Sequence, residues 1–196
     1  METVGVPHAP GTSIPGNVIK RMTDLNGGAV VPGDTLLVNV TVSNLAGSSA
    51  ALALVLRDPL PAQLRYVPGT IVVVTGSNAG PQSDAANDDQ GQFDVAQNRV
   101  RVRLGVGATA VNGGMLAPGT STSVQFRAVV KATTTAGTVI SNSASVVYLE
   151  QLSGPETTAP SSPVGGPVGP TTVVVSTGPG DVAIAKSHQG NLVLLR

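Results

Sequence analysis

Cysteine is missing from this chain altogether, which removes disulfides, thiolate metal sites and cysteine nucleophiles together. Tryptophan is missing too, and Phe, Trp and Tyr together make up only 2% of the residues, so any core must be aliphatic and platforms for stacking sugars are scarce. Charge is sparse. Charged residues are 11% of the chain and the formal net charge is zero, so the electrostatic footprint of a nucleic-acid binder or a membrane-surface basic patch is absent. No apolar run approaches the roughly 18 residues of a membrane span. The opening residues Met1-Glu2-Thr3-Val4-Gly5-Val6-Pro7 carry neither a basic segment nor an apolar stretch of the kind that directs export.

What the chain has in quantity is turn residues. Its 196 residues include Gly 24 and Pro 15, and 41% are hydrophobic. Aliphatic residues between frequent turns favour an all-β domain. The clearest strand covers residues 36–43, where Val38, Val40 and Val42 alternate with Asn39, Thr41 and Ser43 after the turn Val31-Pro32-Gly33-Asp34. Further strands are expected at 18–22, 50–57, 71–75, 99–104, 124–131 and 139–149. Seven or eight strands at turn-separated spacing predict an antiparallel β-sandwich of the immunoglobulin-like kind. Its core is expected to hold Val38, Val40, Val42, Leu52, Leu54, Leu56, Val100, Val102, Val124, Phe126, Ile140, Ala144 and Val146.

The expected organisation is an N-terminal arm at 1–16, the sandwich at 17–150, a Pro/Gly/Ser/Thr-rich solvated linker at 151–180, and a further strand at 181–196. A short strand is possible around 173–176. Val182, Ile184 and Lys186 repeat the parity of Val18 and Lys20, so the last segment reads as the first strand of a second, incomplete repeat. A strand of this sort is suited to pairing with a sheet edge of its own domain, of a neighbour or of a following repeat. The chain is accordingly expected to be a fragment of an exported protein.

Three polar residues occupy apolar positions in the strand alternation. Lys20 shares a face with Val18 and Met22, Asp58 continues Leu52, Leu54 and Leu56, and Asn142 lies with Ile140, Ala144, Val146 and Tyr148. Buried Lys and Asp are rarely tolerated unpaired. Two readings follow. In one, Lys20 and Asn142 join in an intramolecular isopeptide bond with Asp58 as proton shuttle, burial having supplied a neutral amine and a protonated carboxyl. In the other, Lys20 and Asp58 form an uncrosslinked pair and Asn142 bonds the backbone near a sheet edge.

Other clusters carry weaker signals. Asp84, Asn87, Asp88, Asp89 and Asp94 crowd one loop and offer oxygen ligands for calcium, although without the EF-hand spacing, and a flexible acidic loop that solvates a long β connection explains them better. Arg99, Arg101 and Arg103 line one strand face, either as a ladder for an anionic glycan or a partner's acidic strip, or as a solvated face that discourages edge pairing. His8 and His188 lie outside the expected core, and neither a Gly-x-Ser-x-Gly elbow nor a phosphate loop occurs, so no enzyme is expected. Asn39-Val40-Thr41 fits a glycosylation pattern but falls inside the clearest strand.

From residue 17 to 150 the chain resembles the conserved repeat domain of bacterial surface proteins known as domain-of-unknown-function family eleven. The resemblance rests on the order Lys20, Val31-Pro32-Gly33-Asp34, Val40-Thr41-Val42-Ser43-Asn44, Asp58-Pro59-Leu60-Pro61 and Leu64-Arg65-Tyr66-Val67. It continues through the Asp-rich stretch before Phe93, Leu116-Ala117-Pro118-Gly119, Val124-Gln125-Phe126 and Ile140-Ser141-Asn142-Ser143-Ala144-Ser145-Val146. The resemblance implies an immunoglobulin-like repeat of a long, exported cell-envelope protein, at the bacterial surface or outside the cell, with neighbouring repeats or copies of itself as partners. The expected function is therefore a structural stalk or fibre module. Its rivals are a self-assembling fibre subunit joined by terminal strand exchange and an adhesin domain for a cell-surface glycan.

Overall fold

Alternation along the chain translates directly into a two-faced sheet. In β2 (Thr35–Asn44) every second side chain is buried, from Leu36 through Val38, Val40 and Val42 to Asn44. The computed structural model describes residues 14–178, and among these no helix forms. Preceding β2 is β1 (Val18–Asp24), which pairs with it antiparallel from Val18 opposite Val42 to Asp24 opposite Leu36. The turn between them needs Gly33, whose φ of 97° belongs to the left-handed region, and the Asp34 carboxylate accepts from the Val31 amide at 2.7 Å.

The remaining strands are, in chain order, β3 (Ala51–Pro59), β4 (Leu64–Tyr66), β5 (Val72–Thr75), β6 (Gly80–Pro81), β7 (Gly91–Asp94) and β8 (Arg99–Arg103). They continue with β9 (Gly114–Leu116), β10 (Thr120–Val130), β11 (Val139–Asn142), β12 (Ser145–Leu149), β13 (Glu156–Pro160), β14 (Ser162–Pro163) and β15 (Thr171–Val174). One sheet runs β14-β1-β2-β10-β5-β6 with β4 also on β10. The other runs β13-β12-β3-β8-β7 with β9 on β3, and β11 pairs with β15 apart from both. The two larger sheets bury one largely aliphatic core between them, including Val38, Val40, Leu54, Leu56, Val100, Val102, Phe126 and Val146. The chain is thus an all-β, immunoglobulin-like sandwich, with antiparallel pairing throughout except where β14 runs parallel to β1.

Three features differ from the sequence expectation. Leu52 is only half-buried, because Ala53 adopts a φ of 52° and the β3–β9 register shifts between Ala51 and Leu54. A bulge of this kind inserts one residue and exchanges the faces, so Ala51 rather than Leu52 joins Leu54 and Leu56 inside. The expected single strand at 139–149 is two. Ser143 and Ala144 interrupt it, Ala144 exchanging hydrogen bonds with Ser161 (its N–H to the Ser161 Oγ, 3.0 Å; the Ser161 N–H to its carbonyl, 2.9 Å), and the chain passes from β15 to β3 as its partner.

The third difference is the segment read as a solvated linker. Thr, Ser and Pro composition suggested no core of its own, but β13 pairs along all of β12, Ala159 and Val175 are fully buried, and β15 completes β11. The segment borrows the core of the sandwich, and its exposed or half-exposed loops are residues 151–155, before β13, and residues 164–170, rich in Gly and Pro. Ile14, assigned to the arm, is likewise fully buried. The strand-exchange residues Val182, Ile184 and Lys186, and both histidines, lie outside the described residues.

Candidate functional site: a buried lysine, aspartate and asparagine

Lys20 lies at the middle of β1, opposite Val40, and its side chain enters the core because β1 alternates inward at Val18, Lys20 and Met22. Asp58 enters from the opposite sheet, at the end of β3 and across from Val100. Asn142 ends β11, immediately before the chain changes sheets. Lys20 and Asp58 are 0% exposed and Asn142 is 1% exposed, so the fold brings together from three strands the residues singled out by parity.

The Lys20 Nζ donates a hydrogen bond to the Asp58 Oδ2, forming a fully buried ion pair. The Phe126 ring lies 6.0 Å from the same ammonium. Asp58 Oδ1 and both amide atoms of Asn142 make no hydrogen bond. The amide is nevertheless close enough to Asp58 to favour its charged form. Buried polar atoms without partners cost on the order of 1–3 kcal/mol each, and three beside one ion pair mark a site under chemical tension.

Burial governs the protonation of the pair. Desolvation pushes the Lys20 ammonium below its usual range, against the opposing pull of the Asp58 charge and hydrogen bond. Desolvation likewise pushes the Asp58 carboxyl up, against Lys20 and Asn142. Both shifts favour a neutral amine beside a protonated acid. Such a set can deliver a nucleophilic nitrogen and a proton donor to an adjacent carboxamide.

Sequence reasoning missed Thr171, whose hydroxyl donates to the Lys20 carbonyl at 3.2 Å while its backbone pairs with Asn142 in the β11–β15 register. No signal in a run of Thr and Val separates this residue from its neighbours. The calcium expectation is corrected by the loop's own bonding. Asp84 accepts from the Tyr66 hydroxyl and the Gly69 amide, and Asp89 accepts from the Ser83 and Gly91 amides, both at 2.7 Å. Asp94 accepts from Arg99 and the Gln97 amide, Asp88 accepts from the Asp89 amide, and Asn87 occupies the left-handed region at φ 67°. Among the described residues no three His, Cys, Asp or Glu side chains converge on a metal-sized site. These carboxylates fold the loop.

No family model and no curated protein matches the chain, so the repeat-family resemblance rests on its motifs. Solved structures do match in fold. A variant of the major pilin subunit of Bacillus cereus is similar at a TM-score of 0.50 and 14% identity, over 81% of this chain and 40% of that one. Two domains of the major pilin SpaD from Corynebacterium diphtheriae are similar at 0.50 and 13%, over 74% and 50%. The RrgA Jo.In complex is similar at 0.53 and 10%, over 79% and 77%. The fold is that of pilin sandwich domains. This chain spans half or less of the two pilin chains.

Proposed function

We propose that this chain is a non-enzymatic structural module of a bacterial cell-surface or fibre protein, stapled internally by an isopeptide bond between Lys20 and Asn142. The observation that carries the reading is the fully buried Lys20–Asp58 pair facing an Asn142 carboxamide that has no hydrogen bond. The pilin-like sandwich supports the structural role, as does the order of motifs that resembles surface repeats. In a chain without cysteine, an amide crosslink is a staple still open to it.

The step balances without a co-reactant. The neutral Lys20 Nζ attacks the Asn142 carboxamide carbon while Asp58 protonates its oxygen, giving a tetrahedral intermediate. Asp58 then takes the proton from the attacking nitrogen and passes one to the departing Nδ2. The carbon–Nδ2 bond breaks, ammonia leaves, the oxygen returns its proton to Asp58, and a secondary amide joins β1 to β11. Each domain performs this once, on itself.

Intact mass under denaturing conditions tests the proposal. Wild type is expected to weigh one ammonia less than its sequence, while Lys20→Arg, Asn142→Ala and Asp58→Ala each show the full sequence mass. A wild type at full sequence mass would leave a buried salt bridge and remove the staple. The exchange of a terminal strand at 181–196 between copies, the rival for a fibre subunit, predicts concentration-dependent assembly that disappears when 177–196 are deleted.

A further inference from the structure

We propose that Asn26 is a site of spontaneous deamidation, at which the chain converts its own side-chain amide to a carboxylate and thereby loosens the connection between β1 and β2. The triplet Asn-Gly-Gly occurs twice in the sequence, at 26–28 and at 112–114, and both asparagines are exposed. Glycine after asparagine favours the reaction, since the attacking group is the following main-chain nitrogen and no Cβ stands in its way. Sequence and exposure therefore mark both sites alike. The fold separates them.

Ring closure requires the main chain at the asparagine to rotate until the glycine nitrogen reaches Cγ. At the first site the main chain is free to do so. Among the described residues Asn26, Gly27, Gly28 and Ala29 make no main-chain hydrogen bond, and Gly27 and Gly28, at φ of 74° and 84°, have nothing within 4 Å of where a Cβ would stand. Only the carboxamide is held, its Nδ2 donating to Asp34 Oδ1 at 3.1 Å. At the second site the main chain is fixed. The Asn112 N–H donates to the Thr109 Oγ1 at 3.0 Å, and its carbonyl accepts from the Thr109 N–H at 2.9 Å. Gly113 is pressed against the bulge of β3, where a Cβ would lie 2.4 Å from the Ala53 carbonyl carbon, and the Gly114 N–H is tied to the Leu104 carbonyl at 2.8 Å. Rotation there would break the turn and pull β9 away from β3.

The chemistry needs only water. The Gly27 nitrogen attacks the Asn26 Cγ and gives up its proton, Nδ2 gains one and departs as ammonia, and a cyclic imide remains. Water then opens the ring: cleavage at Cγ leaves aspartate, and cleavage at the main-chain carbonyl leaves isoaspartate, which routes the main chain through Cβ. Either product sets a carboxylate where an amide had donated to Asp34, whose other oxygen holds the Val31 amide at 2.7 Å. Like charges at that distance repel, so the turn that feeds β2 loses its clamp. The inference does not rest on the crosslink, because loss of ammonia at Asn142 and gain of a carboxylate at Asn26 are read on different peptides.

The test is peptide mapping of the whole folded chain aged at mildly alkaline pH, beside the same chain aged unfolded in urea. Unfolded, the two sites should convert at rates within about twofold of each other; folded, position 26 should convert about tenfold or more faster than position 112, because local opening limits the second site. Asn26→Ser, which has no amide to lose, should show no conversion at that position, and Asn26→Asp, which carries the product's charge, should melt about 2 °C or more below it. Equal rates at the two positions in the folded protein, faster conversion at 112, or an Asn26 that persists in the folded chain after the unfolded one has converted would each overturn the site. An Asn26→Asp that melts together with Asn26→Ser would overturn the loosening.

Discussion

Thr171 holds both ends of the candidate staple: its backbone lies opposite Asn142 and its hydroxyl donates to the Lys20 carbonyl at 3.2 Å. Strand β15 thus positions β11 beside β1, although the larger sheets do not connect these two strands to each other. The stretch that composition marks as a linker completes the site.

Crosslinking should therefore depend on residues far from the reacting atoms. Ending the chain at residue 160 removes β14, β15 and the buried Val175, and is expected to abolish the loss of ammonia in intact mass. Thr171→Val, which keeps the β-branched shape but loses the hydroxyl, should slow crosslinking and cost about 1 kcal/mol in urea unfolding. Full, unslowed crosslinking in the truncated chain would show that β11 finds its place unaided.

Breaking the buried pair should be more damaging than removing it. Asp58→Ala strands the Lys20 ammonium in the core and is expected to cost about 3–5 kcal/mol. Lys20→Met with Asp58→Leu, of comparable volume, should retain more stability than Asp58→Ala although neither can crosslink. The wild-type staple closes a loop of on the order of 100 residues, for which about 4–5 kcal/mol is the chain-entropy expectation, so it should exceed both. Urea denaturation of the three proteins ranks them.

The parity of Lys20, Asp58 and Asn142 was legible because β1, the end of β3 and β11 keep strict alternation. Leu52 was not, since nothing in Leu52-Ala53-Leu54 reveals that Ala53 takes a left-handed conformation. The sandwich followed from turn spacing, whereas β13 to β15 did not: Thr, Ser and Pro at an edge strand bury few side chains of their own and leave little hydrophobic periodicity. The pairing of Arg57 with Arg101 is not legible in the sequence, because cross-strand register is a tertiary property.

The bulge makes a sharp core prediction. Leu54→Ala should cost about 2–5 kcal/mol, the range for a buried leucine, while Leu52→Ala should cost less than about 1 kcal/mol. Uninterrupted alternation predicts equal losses. Chemical denaturation of the two variants distinguishes these outcomes.

The rate of crosslinking should be bell-shaped in pH. The reactive form, neutral Lys20 beside protonated Asp58, carries the same number of protons as the ion pair, so converting one to the other needs no exchange with solvent. Adding a proton gives an ammonium beside a neutral acid, which lacks the nucleophile; removing one gives an amine beside a carboxylate, which lacks the proton donor. Both of those states leave a net charge in the site, and because burial pushes Lys20 down and Asp58 up, the acid and alkaline limbs move in from the free-residue ranges toward neutral pH. Unfolding uncrosslinked protein, refolding it by pH jump and following the loss of ammonia by mass should give a rate that is highest near neutral pH and falls on both the acid and the alkaline side. A rate that climbs steadily with pH would mean that free lysine deprotonation limits the reaction and that Asp58 does not share its proton.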